Sequence, residues 1–279
     1  MIYIRPDLTD SFENFKSVDD FLNIDMKTVR DFKNRKTGRF EVNGRGFYIK
    51  KHFECGIGAV ADELFHLRKP HIGAAPERSA LDRLSEIGID TMKVAAFGQD
   101  GLLLNRQRSF LVTDELTNIE MLETIGKSWV KNAPTFTVKK ALITKVAEIA
   151  RKLHGAGINH RDFYICHFML DMDFFYQVKD NPKAEPKIYL IDLHRACQRA
   201  KVPFRWLVKD IGALLFSSLD IGLTKQDFLR FVKLYTGKPL KEAINKDSKF
   251  WKAVLKRAIK FYTRDFKKHP TNINKLTSE

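Results

Sequence analysis

The sequence predicts an α+β fold in two lobes, a small strand-rich one followed by a larger helical one. Three observations carry this. Short apolar segments separated by turn residues dominate the first 115 residues. The composition shifts after Glu115, and helical periodicity takes over from Val138. A helix, a Gly turn and a His-Arg-Asp triplet at 160–162 are then followed by an apolar run that ends in Asp192. The lobes are therefore assigned to residues 1–115 and 116–279.

Residues 1 to about 25 are mixed and predict no clear element. Three short strands follow. The first runs from Thr28 to Phe32, and Asn34-Arg35-Lys36-Thr37-Gly38 reads as a basic turn. Arg39 to Val42 is the second strand. The Asn43-Gly44 pair, which accepts positive φ, folds it back onto Phe47-Tyr48-Ile49-Lys50. Two helical patterns come next. Val60 to Arg68 is one. The other opens with Pro76 in its first turn, where a missing N–H costs little. It places Ala80, Leu81, Leu84 and Ile87 on one face and stops at Gly88. Phe110 to Thr113 is the clearest later strand.

In the second lobe Leu142, Val146, Ile149, Ala150 and Leu153 share one face of a helix from Val138 to His154. A pair of strands flanking Asp180-Asn181-Pro182 leads to Asp192. After Pro203 the chain reads as helical, with segments at Lys209 to Leu219 and Lys225 to Tyr235. A long basic amphipathic helix closes it, from about Lys249 to Lys267.

With 279 residues and 44% apolar composition, the chain is long enough to bury a sizeable core. It lacks the roughly 18 consecutive apolar residues of a spanning helix. It also lacks a basic, apolar and small-residue leader at its start, so a cytoplasmic protein is expected. Cys55, Cys166 and Cys197 are too few and too far apart for a disulfide framework or a zinc site.

The net charge is +15, and fifteen Lys or Arg against five Asp or Glu lie between Lys225 and Glu279. Such a field favours anionic partners: nucleic acid, an acidic protein or an anionic membrane surface. On the last helix Lys252, Lys256, Lys260 and Arg264 form a stripe. The stripe reads either as a contact with membrane or substrate phosphates, or as the solvated side of a helix packed on its lobe. No ribonucleoprotein string or Cys/His finger accompanies the charge, so no nucleic-acid partner is expected.

Leu153-His154, Gly157, His160-Arg161-Asp162 and the later Asp192 have the layout of a kinase catalytic loop with its metal-binding carboxylate. Transfer of a phosphoryl group from ATP needs a carboxylate beside the acceptor hydroxyl, and Asp162 is the candidate base. Asp192 is the candidate Mg²⁺ ligand, since Mg²⁺ accepts one or two carboxylates beside phosphate oxygens. Lys50 is placed to hold the α- and β-phosphates, tied by an acid from the next helix. Glu77 is the choice and Glu63 the rival. Lys51 points to the other face of the strand and reads as a solvated lysine.

His167 stands five residues after Asp162, where protein kinases carry a metal-binding Asn. Imidazole is a poor Mg²⁺ ligand. His167 therefore touches phosphate, positions Asp192, or is a loop histidine without chemistry. No Gly-x-Gly-x-x-Gly is present. Arg35 and Lys36 either replace it by direct charge on the phosphates or belong to a solvated turn. Asp210 is expected to accept hydrogen bonds from the backbone of the His-Arg-Asp loop. Only eighteen residues separate Asp192 from Asp210 and no Ala-Pro-Glu follows, so a peptide-binding platform does not fit. The four histidines 154, 160, 167 and 194 match no zinc spacing.

Several strings closely resemble the lipopolysaccharide core kinases of Gram-negative bacteria, in particular the heptose I kinases of the inner core. They are Arg39-Phe40-Glu41 through Tyr48-Ile49-Lys50, Gly88-Ile89-Asp90-Thr91-Met92 with Ala96-Phe97-Gly98, and Ala156-Gly157-Ile158-Asn159-His160-Arg161-Asp162. Tyr164-Ile165-Cys166-His167-Phe168, Ile191-Asp192-Leu193-His194-Arg195-Ala196 and Ser217-Ser218 with Ile221-Gly222-Leu223-Thr224 complete the set. The likeness spans about residues 28 to 240. It implies a protein-kinase-like fold and transfer of the ATP γ-phosphate to a hydroxyl (O-4 in that family) of the first heptose of lipid A-linked core.

Carried over, Asp162 is the base, Asp192 the Mg²⁺ ligand, and Lys50 with Glu77 the phosphate-binding pair. The expected partners are the lipid A-core acceptor, the anionic inner leaflet reached peripherally from the cytoplasm, and an acidic carrier protein. A kinase of another core sugar such as the octulosonic acid (Kdo) is the near alternative. A kinase-fold lipid- or RNA-binding module without catalysis is the distant one. Tyr164-Ile165-Cys166-His167-Phe168 favours heptose, and the joint presence of Lys50, Asp162 and Asp192 argues against the module.

Overall fold

Phe40, Phe47, Ile49, Phe110 and Val112 are all buried and come from three neighbouring strands, and the face they share carries a hydrophobic core. The computed structural model describes residues 2–54, 73–101, 103–271 and 273. The helix expected over Val60–Arg68, the rival acid Glu63 and Cys55 lie outside the described residues. The chain divides into two compact units. One comprises Met1–Arg83, Met92–Thr117 and Leu193–Arg195; the other comprises Leu84–Thr91, Asn118–Asp192 and Ala196–Glu279.

The first unit is an antiparallel six-stranded sheet. Its strands are β1 (Ile2–Ile4), β2 (Lys27–Phe32), β3 (Arg35–Val42), β4 (Arg45–His52), β5 (Val94–Asp100) and β6 (Arg108–Asp114). They stand in the order β1-β5-β6-β4-β3-β2. Most of helix α2 (Ala75–Glu86) belongs to this unit. Asn43 and Gly44, at φ 51° and 75°, form the expected β3–β4 turn.

The basic turn is shorter than expected. Only Lys33 and Asn34 make it, and the chain resumes as strand at Arg35. Residues Arg35–Gly38 lie between β2 and β4, so ladder hydrogen bonds on both sides draw them into the sheet. The Asn34 side-chain amide donates to the Phe53 carbonyl and Phe53 N–H to the Asn34 carbonyl, which pins the end of the hairpin.

The first 25 residues are ordered by tertiary contacts. β1 pairs with β5, and the Arg5 guanidinium forks onto Asp114 at 2.9 and 3.1 Å. Helix α1 (Val18–Leu22) starts with a capping box, the Ser17 hydroxyl accepting from Asp20 N–H and the Asp20 carboxylate from Ser17 N–H. Phe12 and Phe21 are fully buried, and Phe21 stacks on Phe110 with centroids 4.0 Å apart. Each fully buried phenylalanine contributes roughly 1.5–3 kcal/mol.

In the second unit β7 (Ile119–Met121), β9 (Phe168–Asp171) and β10 (Ile188–Leu190) form a small antiparallel sheet in the order β10-β9-β7. β8 (Ile158–Asn159) pairs with β11 (Cys197–Gln198). The helices are α3 (Leu122–Ser128), α4 (Phe136–Gly155), α5 (Phe174–Asp180), α6 (Phe204–Ser217), α7 (Lys225–Thr236), α8 (Leu240–Lys246) and α9 (Ser248–Phe266).

The segment before Asn181 is thus a helix and not the expected strand. Phe174 and Val178, four apart, are its buried residues, a helical spacing. Helix α6 begins at Phe204, five residues ahead of expectation, because Pro203 holds an extended N-cap with φ −63° directly before it. Trp251, Val254, Ala258, Phe261 and Tyr262 of α9 are buried, whereas Lys252, Lys256, Lys260 and Arg264 are exposed. α9 packs on α6, where a Cβ on Gly212 would come 2.8 Å from the Arg257 stem. Among the described residues no helix is long and apolar enough to cross a membrane.

Candidate active site

The alternation of β4 sends Lys50 and Lys51 to opposite faces. Lys50 Nζ lies 2.5 Å from Glu77 Oε1, with the lysine side chain 21% exposed and the glutamate 4%. Glu77 occupies the first turn of α2, where a carboxylate faces the positive end of the helix. Its second oxygen is buried and has no hydrogen-bond partner among the described residues. The next residue, Arg78, lies over two rings, 4.2 Å from that of Tyr3 and 4.8 Å from that of Phe97, which ties this turn of α2 to β1 and β5.

Lys51 is not the solvated lysine expected of it. It is buried, its Nζ donates to the Ile24 carbonyl at 2.5 Å, and burial lowers its pKa. The carbonyl of the ordered N-terminal segment supplies a partner that strand alternation alone does not reveal.

His52, two residues past Lys50, is held neutral. Burial first, then the charges of Arg35, Lys50 and His194, push its pKa down to about 3. Of the two basic hairpin residues, Lys36 lies 3.1 Å from Asp31 in an exposed ion pair, and Arg35 sits opposite His52 in the ladder.

In the second unit the His-Arg-Asp loop is braced from below. Asp210 of α6 is fully buried and accepts from His160 N–H at 2.7 Å and Arg161 N–H at 2.9 Å. His154 Nε2 lies 3.3 Å from the same carboxylate, and its Nδ1 is 2.9 Å from the Tyr235 hydroxyl. Arg161 is thereby held at φ 74°, a conformation that costs a non-glycine residue about 1–3 kcal/mol.

Asp162 and Asp192 are joined through histidines. His167 Nδ1–H donates to the Asp162 carbonyl at 2.7 Å, and its Nε2 lies 3.5 Å from Asp192 Oδ2. Burial disfavours charge on His167. The Cys166 sulfur, the Asp162 carbonyl and the Asp192 carboxylate outweigh it and raise the pKa to about 9. His160 Nε2–H donates to the Ile191 carbonyl at 3.0 Å, while Ile191 N–H donates to the His167 carbonyl at 3.0 Å. Complete burial keeps His160 neutral. Asp192 itself sits at φ 63°. Gly157, at φ 77°, enters the loop where any Cβ would collide with the Arg199 carbonyl. Thr91 Oγ1 donates to the Leu190 carbonyl, and Leu190 N–H donates to the Asp90 carbonyl, which fixes the strand that delivers Asp192.

Lys50 thus meets Glu77 in the first unit, and Asp162, His167 and Asp192 come together in the second. Sequence reasoning missed Trp206, whose ring gathers Arg161, Arg199, Arg205 and Lys209. The signal available was a tryptophan flanked by basic residues just after Pro203.

A strand-rich unit with a Lys–Glu ion pair and a helical unit with an Asp-braced His-Arg-Asp loop define a kinase of the protein-kinase-like class. The chain belongs to the lipopolysaccharide kinase (Kdo/WaaP) family, whose model matches residues 19–235. It is similar to the lipopolysaccharide core heptose(I) kinase WaaP of Escherichia coli K12, 44% identical over 219 residues that cover 78% of this chain and 81% of the relative. The enzyme of the same name from Pseudomonas aeruginosa is 40% identical over 238 residues, 85% of this chain and 87% of the relative. The solved structure "WaaP in complex with acyl carrier protein" superposes with a TM-score of 0.77 at 34% identity, covering 94% of this chain and 99% of that one. These matches reach beyond the 28–240 that the motifs mark. As a kinase of this family, the protein uses ATP as phosphate donor.

Proposed function

We propose that this protein transfers the γ-phosphate of ATP to a hydroxyl of the first heptose in the lipid A-linked inner core of lipopolysaccharide. The observation that carries the reading is the bracing of Asp162 and Asp192 through His167, in a chain 44% identical to a named core heptose(I) kinase. In this reading Asp162 accepts the proton of the attacking hydroxyl as the new O–P bond forms and the bond to the β-phosphate oxygen breaks. Lys50, oriented by Glu77, holds the α- and β-phosphates. Arg35 and Lys36 are proposed to add charge beside them.

The donor set suits Mg²⁺. Asp192 offers a hard carboxylate oxygen, and one carboxylate with phosphate oxygens and water satisfies this ion. His167 turns Nδ1–H to the Asp162 carbonyl and Nε2 towards Asp192, so its proposed role is to hold Asp192 and to meet phosphate oxygen. A bound cation supplies positive charge against the transferring phosphate oxygens.

Two partners join this reading. The exposed Lys252, Lys256 and Lys260 suit peripheral docking on an anionic leaflet from the cytoplasmic side. An acyl carrier protein, the partner of WaaP in the neighbouring solved structure, suits the same basic C-terminal region if it is acidic. Changing the three lysines to Gln is expected to weaken sedimentation with anionic vesicles at low salt. Unchanged binding would make the stripe a solvated face.

The test of the activity is label transfer from γ-labelled ATP into lipopolysaccharide whose core lacks heptose phosphate, beside heptose-free lipopolysaccharide. Label in the heptose-bearing acceptor alone is expected. Label in both would move the acceptor to Kdo, and label in neither would refute the reading. Asp162→Asn is expected to abolish turnover with ATP binding retained.

A further inference from the structure

Four cations converge on one indole in the second unit. The guanidinium carbons of Arg161, Arg205 and Arg199 lie 4.9, 5.3 and 5.9 Å from the Trp206 ring centroid, and Lys209 Nζ lies 5.2 Å from it. They arrive from three places in the chain: the catalytic-type loop, the residue after β11 and the first two turns of α6. Arg199 donates to the Asn159 side-chain carbonyl at 2.5 Å and through its backbone N–H to the Gly157 carbonyl. Arg161 reaches the Cys197 sulfur at 3.9 Å.

Arg199 and Arg205 are exposed, and among the described residues neither pairs with a carboxylate. The first turn of α6 carries no acid and has no side-chain cap, so its backbone N–H groups add to the same positive field. The indole N–H is itself buried without an acceptor among the described residues. The ring face attracts each cation only weakly, and the two exposed guanidiniums share it without a carboxylate of their own. Such an arrangement is stabilised by an oxyanion, and guanidinium forks match carboxylate and phosphate geometry.

Position in the chain narrows what that oxyanion belongs to. Arg161 is bonded to Asp162, so the Cα atoms are about 3.8 Å apart. Its strained backbone is fixed by Asp210, so the guanidinium has a defined direction. Both side chains leave adjacent Cα atoms, so an anion held there lies at most a few sugar units from a hydroxyl addressed by Asp162.

We infer that Arg161, Arg199, Arg205 and Lys209 around Trp206 form an acceptor-recognition site for an oxyanion on the glycolipid, borne close to the hydroxyl that is phosphorylated. The inference rests on the proposed acceptor. Two sources supply that chemistry: the carboxylate of an acidic sugar neighbouring the reactive one, and a phosphate of the lipid anchor.

The experiment compares wild type with Arg205→Gln and with Arg199→Gln/Arg205→Gln. Three acceptors are used: the glycolipid lacking heptose phosphate, the same with its carboxyl groups methyl-esterified, and the same with its lipid phosphates removed. The Arg205 side chain makes no hydrogen bond to the described residues, so Arg205→Gln is expected to leave the fold intact, and a thermal melt checks the double variant. On the unmodified acceptor the double variant is expected to raise acceptor KM about tenfold or more, with kcat and ATP KM changed less than about threefold. The penalty disappears on whichever acceptor has lost the recognised group: on the ester for a carboxylate, on the dephosphorylated glycolipid for a phosphate. Arginine-to-lysine variants recover part of the loss. An equal penalty on all three acceptors, or none on any, overturns the inference. Failure of wild type on every acceptor would instead refute the proposed function, which separates the two.

Discussion

Asp210→Asn isolates the brace beneath the catalytic-type loop. The carboxylate takes two backbone N–H groups, from His160 and Arg161, inside a fully buried environment. A hydrogen bond to a charged acceptor contributes about 1.5–3 kcal/mol, and a neutral one about 1 kcal/mol. Asparagine is nearly isosteric but keeps one acceptor oxygen. Its amide group faces the other N–H as a second donor. One bond is lost and the other falls to neutral strength, so the variant is expected to lose about 2–5 kcal/mol.

The functional effect is larger in proportion. Arg161 at φ 74° is held against its own backbone preference by these two bonds, and Asp162 is the next residue. Relaxation of Arg161 swings Asp162, and a displacement of about 1 Å costs on the order of 10²-fold in turnover. The assay pairs denaturant unfolding with kcat measured at a temperature where the variant is folded. ATP binding serves as a control, because Lys50 and Glu77 belong to the other unit. A variant destabilised as expected whose kcat per folded molecule stays within twofold would refute the positioning role and leave Asp210 a structural residue.

Lys50→Met is expected to weaken ATP binding by at least tenfold. It also lowers stability, because it strands a buried Glu77 carboxylate, one of whose oxygens already has no partner among the described residues; calorimetric titration and a melt read the two effects. His52 gives a pH signature. Its folded pKa, near 3, lies below the usual value of 6.5, so the unfolded chain binds the extra proton. The full contribution is present above pH 6.5 and is lost as pH falls towards 3, amounting to up to about 2 kcal/mol at pH 5. His52→Leu should flatten the melting temperature between pH 6.5 and 5, and parallel profiles would count against the buried neutral histidine.

Much of the second unit was legible because its signals are local. The spacing from Leu153 through Gly157 to Asp162, and the apolar lead into Asp192, needed no knowledge of distant contacts. The contact of Lys50 with Glu77 required only two short-range facts, strand alternation and the first turn of a Pro-started helix. What stayed hidden depends on residues far apart in the chain. Phe12 and Phe21 carry no periodicity that marks them as core, because the partners that bury them are Phe40, Phe47 and Phe110. Arg35–Gly38 looks like a turn by composition and is strand because β4 lies alongside. Lys51 is buried because Ile24, 27 residues earlier, presents a carbonyl to it. The cluster at Trp206 draws Arg161 and Arg199 from positions 38 residues apart, which no local pattern reports.

Backbone strain supports the assignment of the two aspartates independently of any motif. Six described non-glycine residues have positive φ: Lys33, Asn43, Asn118, Arg161, Asp192 and Lys267. Lys33 and Asn43 sit in hairpin turns, Lys267 caps α9, and Asn118 is of a residue type that tolerates this region. Arg161 and Asp192 have no such local reason. Each is long or charged, lies outside any hairpin turn or helix cap, and is held by hydrogen bonds from elsewhere, through Asp210 for one and through His160 and His167 acting on Ile191 for the other. A fold keeps about 1–3 kcal/mol of strain at a site only where the surrounding contacts over-determine it. Here the same contacts that hold the strain fix the backbone from which the Asp162 and Asp192 side chains project. Glycine at 192 would relieve the strain and remove the carboxylate, so relaxing the backbone and keeping that side chain are incompatible at this position.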